Sequence, residues 1–130
     1  MRKISAFKDY YVKFMKGLPE RDQQKIRRSL LLLETEDRIP YHFIKYIRDG
    51  ICEFRVTSYG NEFRIFFVYD GDTIVVLFNA FKKKTQKTPE SEIKKAIKLK
   101  ERNYDYFMGK NACYKSMGKR RNHRRMCTLF

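Results

Sequence analysis

The apolar positions of the chain fall into stretches of different period. Phe7, Tyr10, Tyr11, Phe14, Met15 and Leu18 recur at i, i+3, i+4, i+7, i+8 and i+11, the stripe of one helix, which Gly17-Leu18-Pro19 ends. Lys3–Ala6, ahead of it, fits a short edge strand. A second helix is predicted from Glu20 to Glu36, with Ile26, Leu30 and Leu33 as its stripe. Leu31 and Leu32 widen that stripe, so this helix is expected to be buried on more than one side. Tyr41–Arg48 suits neither period. Alternation then takes over in Ile51–Ser58, Glu62–Tyr69 and Thr73–Phe81, joined by Tyr59-Gly60-Asn61 and Asp70-Gly71-Asp72, whose Gly and Asp are hairpin chemistry. Thr88-Pro89-Glu90 reads as the N-cap, first-turn proline and acidic first turn of a last helix carrying Ile93, Ala96 and Ile97 on one face. The order (β)ααβββα predicts an α+β fold, two N-terminal helices packed on a small antiparallel sheet with a C-terminal helix.

Alternation also sorts the strand residues into two faces. One holds Cys52, Phe54, Val56, Phe63, Ile65, Phe67, Tyr69, Ile74, Val76, Phe78 and Ala80, and must lie under helices. The other carries Glu53, Arg55, Thr57, Glu62, Arg64, Asn79 and Phe81, with Phe66, Val68, Val75 and Leu77 at its apolar end. If the Ser58–Asn61 loop has an even number of residues, facing positions sum to 119, which sets Arg55 opposite Arg64. Like charges directly opposed destabilise a sheet unless something neutralises or uses them. Glu53 and Glu62 on the same face offer neutralisation; a phosphate held between two guanidiniums offers a use. The third strand runs on into a lysine run, Lys82, Lys83, Lys84 and Lys87, with Phe81 and Lys83 on the arginine side by alternation. Asn79, Phe81, Lys82 and Lys87 are therefore candidate RNA-binding residues, Phe81 as a base-stacking ring. The positive end of the helix dipole beginning at Thr88 is expected at the mouth of this site.

Composition sharpens the picture. Thirty Lys and Arg against 15 Asp and Glu leave a net charge of +15, which favours a polyanionic partner. Residues 109–130 carry seven of the basic residues, no acidic one and no apolar period, so 1–107 is read as the folded unit and 108–130 as a basic, flexible extension. The longest apolar run, Ile74–Phe78, is too short to span a bilayer, and charges in Met1–Asp9 stand where a secretion signal needs an apolar run; a cytoplasmic protein without membrane contact is expected. Cys52, Cys113 and Cys127 are too few and too oddly spaced for a disulfide framework, and Cys113, His123 and Cys127 lack a zinc-finger spacing. Neither a metal nor another cofactor is expected.

Three segments resemble a known family: Gly50-Ile-Cys-Glu-Phe-Arg55, Asn61-Glu-Phe-Arg64-Ile-Phe-Phe and Phe81-Lys-Lys-Lys-Thr-Gln-Lys-Thr-Pro89 are similar to the successive strand motifs of phage-derived, HigB-type toxins of the RelE/ParE superfamily. The resemblance spans residues 1–105, and the last motif, continued by Glu92-Ile93 and Ala96, is its most specific part. It implies a curved sheet, metal-independent cleavage of mRNA on the translating ribosome, and neutralisation by a cognate antitoxin, commonly of helix-turn-helix type. The family's recurrent arginines fall on Arg55 and Arg64 and its paired lysines on Lys83 and Lys84, the candidate catalytic set, with Glu53 and Glu62 as general bases or as anchors for the arginines. Lys82 stands where the family more often has an apolar residue, and no histidine lies near the site. The same scaffold also serves gyrase inhibitors, so a non-enzymatic nucleic-acid-binding protein, a gyrase-inhibiting toxin and a degenerate toxin retained for antitoxin binding are the alternatives.

Overall fold

A computed structural model describes residues 2–71, 74–84 and 87–110. Its elements are β1 (Lys3–Ala6), α1 (Tyr10–Lys16), α2 (Glu20–Thr35), a 3-10 turn over Tyr41–Phe43, β2 (Ile44–Arg48), β3 (Ile51–Ser58), β4 (Asn61–Asp70), β5 (Ile74–Lys83) and α3 (Glu90–Lys110). The strands form one sheet in the order β1-β5-β4-β3-β2. β1 runs parallel to β5 and the remaining pairs are antiparallel, so the sheet is mixed where a wholly antiparallel one was expected. The α+β architecture is the one the RelE/ParE resemblance implies. No described helix is long and apolar enough to cross a membrane.

Tight turns set the registers. Tyr59 and Gly60 close the β3–β4 hairpin with φ of 50° and 80°, the left-handed pair that a two-residue loop needs to match the strand twist. Asp49 and Gly50, at 54° and 81°, do the same between β2 and β3. The ambiguous segment is thereby resolved: Ile44–Arg48 is an edge strand whose short length and lysine and arginine content blur its alternation. The two-residue loop fixes Ser58 opposite Asn61 and carries Arg55 opposite Arg64, the predicted register.

A bulge in β5 reorganises the core. Ile65 pairs with Ala80 but Phe67 pairs with Leu77, so Phe78 and Asn79 together face the single residue Phe66. The extra residue reverses the alternation below it. Val75 and Leu77, expected on the site face, pack with Met15, Ile26, Leu30, Leu33, Phe54 and Phe67 under α1 and α2. Val76 and Phe78, expected there, instead join Phe7, Phe66, Val68, Ile93, Ala96 and Leu99 under α3. Two cores thus sandwich one sheet: α1 and α2 cover one face, and α3 covers the end of the other where Phe66 and Val68 lie. Burial pushes the Cys52 thiol up to about 12, so it stays protonated and packs as a small apolar group.

The start of α3 is held differently from its sequence reading. Pro89 occupies the flanking position, its carbonyl accepting from the N–H of Glu92 and Ile93 at 3.1 and 3.3 Å, and Thr88 does not cap the helix. α3 runs on to Lys110, past the expected end of the folded unit at 107 and through Gly109, since one glycine costs a helix only about 1 kcal/mol. The remainder of the expected extension, with Cys113, His123 and Cys127, lies outside the described residues.

Arg48 at the end of β2 makes a two-point ion pair with Glu90 in the first turn of α3, tying that helix to the sheet edge. The hydrogen bond from Arg48 holds the Glu90 carboxyl below its ordinary 4.5. A carboxylate with a depressed folded pKa stabilises above its unfolded pKa, and that stabilisation is lost as pH falls through the folded value. Glu90→Gln is therefore expected to lower the melting temperature near neutrality and to leave it unchanged in acid below the folded pKa. Thermal melts across that range check this.

Candidate functional site

α3 leaves the other end of its face uncovered, and the polar residues of β3, β4 and β5 meet there. Arg55 on β3 is directly opposite Arg64 on β4, and Arg64 is opposite Phe81 on β5. Between and beneath the guanidiniums lies the carboxylate of Glu53, which is fully buried. Its Oε1 accepts from Arg55 Nε at 3.1 Å and lies 3.6 Å from Arg64 Nε. Its Oε2 accepts from the Thr88 hydroxyl at 2.7 Å. One carboxylate thus ties together two strands and the lead-in to α3. Thr88, expected to cap a helix, is spent on this anchor.

The two arginines are not equivalent. Both were expected on the solvent side of the sheet, but the Arg64 side chain is only 5% exposed while that of Arg55 is 33% exposed. Arg64 donates through Nη1 to the Phe63 carbonyl at 3.0 Å and through Nη2 to Glu62 Oε1 at 3.2 Å. Its buried Nε has no hydrogen-bond partner among the described residues. The cause of the difference is position. Arg64 sits on a central strand flanked by β3 and β5, whereas β2 pairs with β3 only as far as Phe54 and leaves Arg55 at an open edge.

Glu62 and Lys83 face each other on β4 and β5 at the rim of the same surface. Lys82 pairs with Phe63, whose ring packs beneath α1 and α2, so Lys82 projects to the opposite side from Lys83, as alternation predicted. Lys84 and Lys87 are exposed beyond the strand end. Phe81 is half-buried, its ring 5.6 Å from that of Phe66, which leaves part of one face to solvent. Asn79 is not available as a candidate contact: it is 2% exposed and its Nδ2 donates to the carbonyl and to Oε1 of Glu92 at 3.1 and 3.0 Å. The bulge turns it inward to fasten β5 to α3. Glu53, Arg55, Glu62, Arg64, Phe81 and Lys83 are brought together; Asn79 is not, Lys82 lies across the sheet, and Lys84 and Lys87 lie on the adjoining loop. Thr88 is the residue that sequence reasoning misplaced, and its proximity to Glu53 has no local signature.

The arrangement can present fixed positive charge to an anion with one carboxylate hidden and one in reach. Glu53 is buried and saturated, whereas Glu62, at the rim beside Lys83, has 53% of its side chain exposed. Removing one partner of a buried ion pair leaves the others uncompensated, at a cost of about 3–5 kcal/mol. Glu53→Ala is expected to destabilise the fold by that order, and Glu53→Gln by less, because the amide oxygen still accepts from Arg55. Urea unfolding followed by circular dichroism checks both.

A comparison with curated proteins gives no match. The model of a protein family, described as phage derived protein Gp49-like (DUF891), matches residues 13–101, which take in the second half of α1, all of α2, strands β2 to β5 and the first half of α3. That match covers more than half of the chain and contains the whole Glu53–Arg55–Arg64 cluster; the chain belongs to the Gp49-like family of phage-derived proteins, a toxin-like family.

Proposed function

We infer that this protein is the HigB-type toxin of a type II toxin–antitoxin pair and cleaves mRNA on the translating ribosome without a metal ion. The observation that carries this reading is the directly opposed pair Arg55 and Arg64 locked onto one buried carboxylate, with Lys83 and Phe81 alongside. A fold has no packing reason to oppose two arginines, and it holds these ones rigid, as electrostatic stabilisation of a transition state requires.

In the proposed reaction the 2′-OH of one nucleotide attacks the adjacent phosphorus, the P–O5′ bond breaks, and the phosphorane between them carries an extra negative charge. Arg55, the accessible guanidinium, contacts a non-bridging oxygen. Arg64, held beneath it, adds its field and sets the position of the pair. Lys83 or Lys84 protonates the departing 5′ oxygen, and Phe81 stacks on a flanking base. Glu53 acts as an anchor, since it is buried and hydrogen-bonded to Arg55 and Thr88. Glu62, exposed and facing Lys83, is the carboxylate with access to a 2′-OH. The ribosome supplies the substrate alignment that so small a set of acid–base groups does not, and a cognate antitoxin covers the surface when the toxin is held silent.

Arg55→Ala is expected to reduce cleavage about a hundredfold to a thousandfold, the loss typical of one transition-state donor. It is also expected to lower the melting temperature, because it removes the guanidinium hydrogen-bonded to the buried Glu53 carboxylate. Arg55→Lys, which keeps a cation beside Glu53, is expected to lose cleavage with a smaller loss of stability. Arg64→Ala is expected to lose both cleavage and stability, because its guanidinium is buried. A cell-free translation reaction with primer-extension mapping of cuts reads the first effect and thermal melts the second. Full activity of soluble Arg55→Ala rejects the assignment, and supercoiling defects without cuts transfer the protein to the gyrase-inhibiting class.

Lys83→Ala is expected to slow cleavage more than Lys82→Ala in the same assay, since only Lys83 shares the arginine face. Equal losses at both would mean that the lysines act as a diffuse tether for the polyanion.

A further inference from the structure

A second cationic surface lies at the tip of the β3–β4 hairpin. Arg21, Lys25 and Arg28 recur at i, i+4 and i+7 on α2, one exposed stripe of that helix. None of the three is within ion-pair distance of a carboxylate among the described residues, whereas Arg27 on the adjacent stripe pairs with Glu20. Lys25 and Arg28 line an open cleft of about 260 Å³ together with Thr57, Ser58 and Tyr59. The cleft exists because β2 stops pairing at Phe54, leaving the last turn of β3 without a neighbour on that side. Strand geometry adds a donor. Ser58 and Asn61 are the closing pair of a two-residue hairpin, so the backbone N–H and C=O of Thr57 point away from β4 and toward this open edge.

Tyr59 supplies an independent observation. It stands at φ 50°, in the left-handed region that a hairpin of this kind ordinarily fills with Asn, Asp or Gly. A bulky residue there costs folding energy, and Tyr59 recovers little by burial, being 69% exposed. Its ring carries the Arg21 guanidinium 4.3 Å from its centroid on one side. An exposed aromatic beside unpaired cations is the pairing that single-stranded nucleic acid recognises: stacking for a base, charge for the backbone.

We propose that Tyr59 with Arg21, and Lys25 with Arg28, form a second nucleotide subsite that stacks one base and holds one or two backbone phosphates of single-stranded RNA. Thr57 lies two residues from Arg55 on the same strand face, about 7 Å along β3, and α2 lies on the opposite face. One strand of RNA would therefore run from the arginine pair to the hairpin tip and pass round the open edge of β3 to reach Lys25 and Arg28. The proposal rests on the reading of this protein as an RNA-directed toxin and extends its contact surface from the arginine pair to α2.

The test uses the full chain and a fluorescein-labelled, mixed-sequence 2′-O-methyl RNA of about 12 nucleotides, which has no 2′-OH and is not cut. Anisotropy is read across a salt series. Lys25→Ala with Arg28→Ala is expected to weaken binding about tenfold and to flatten the slope of log affinity against log salt by about 1.4, some 0.7 per phosphate contact on a single strand. Tyr59→Asn, which suits the turn better, is expected to weaken binding several-fold with the salt slope unchanged and the melting temperature kept or raised. Unchanged affinity in both variants overturns the subsite, as does the absence of RNA binding by the unaltered chain; a protein docking on this face would give the first of these results. Loss of affinity in the double variant with no effect of Tyr59→Asn overturns the nucleotide subsite in favour of a general anion cleft. Primer extension on the same variants separates the two proposals. If the unaltered chain binds through α2 but cuts no message, the nuclease reading fails and the subsite stands. If it cuts message and the variants bind as it does, the subsite fails and the nuclease reading stands.

Discussion

The buried carboxylate of Glu53 is the constraint on which the polar half of the sheet depends. Two arginines directly opposed across β3 and β4 repel, and in a partly desolvated surface that repulsion is not screened by water. One carboxylate placed under both, and also bonded to Thr88, converts the repulsion into a three-way tie. The tie reaches three parts of the fold: β3, which supplies Glu53 and Arg55; β4, which supplies Arg64; and the entry to α3. α3 packs on the sheet through Ile93, Ala96, Ile97 and Leu99, and the Thr88–Glu53 bond, the Asn79–Glu92 bonds and the Arg48–Glu90 pair fix where that helix begins. Those three attachments decide how much of the face stays open.

The bulge at Phe78 and Asn79 lets one strand serve two chemistries. Below it, β5 sends Val75 and Leu77 under α1 and α2 and Val76 and Phe78 under α3, so both faces are apolar. Above it, Phe81 and Lys83 turn to the arginine face, opposite Arg64 and Glu62. Without the extra residue, the alternation that buries Leu77 under α1 and α2 would carry Phe81 and Lys83 to that same side, away from Arg55. A bulge beside a functional surface re-aims side chains in this way at the cost of local pairing, and here Asn79 repairs that cost by bonding to Glu92.

Much of this was legible from local pattern. Three strands, three helices and the Arg55–Arg64 register followed from alternation, helical stripes and the two-residue loop, all of which act over a few residues. What escaped the sequence is non-local or depends on depth. Strict alternation assigned Val75 and Leu77 to the wrong face because a bulge has no marker in Phe78-Asn79-Ala80. Asn79 looked like a surface amide, since nothing in its neighbourhood tells that α3 will lie across it. Arg64 and Arg55 have the same local sequence character, and only the short reach of β2 makes one buried and the other accessible. Thr88-Pro89-Glu90 satisfied every local rule for a helix start, and a carboxylate 35 residues upstream took the hydroxyl instead.

Charge balance follows the same logic across the molecule. A chain with a net charge of +15 repels itself on folding, and exposed carboxylates that relieved the repulsion would also repel a polyanionic partner. Among the described residues the buried acidic side chains are Asp22 and Glu53. Glu53 lies beneath the arginine pair. Asp22 lies behind Ser58, whose hydroxyl donates to it at 2.7 Å, at the back of the cleft that Lys25 and Arg28 line. Each cationic surface is therefore backed by a carboxylate that lowers its self-repulsion from inside, where the field of the acid reaches the cations through protein but is hidden from anything approaching through water. A buried carboxylate costs folding energy, and a fold that needed only stability would do better with apolar residues at both positions. Their placement behind the two surfaces where cations are unpaired or doubled suits the proposed contacts with RNA.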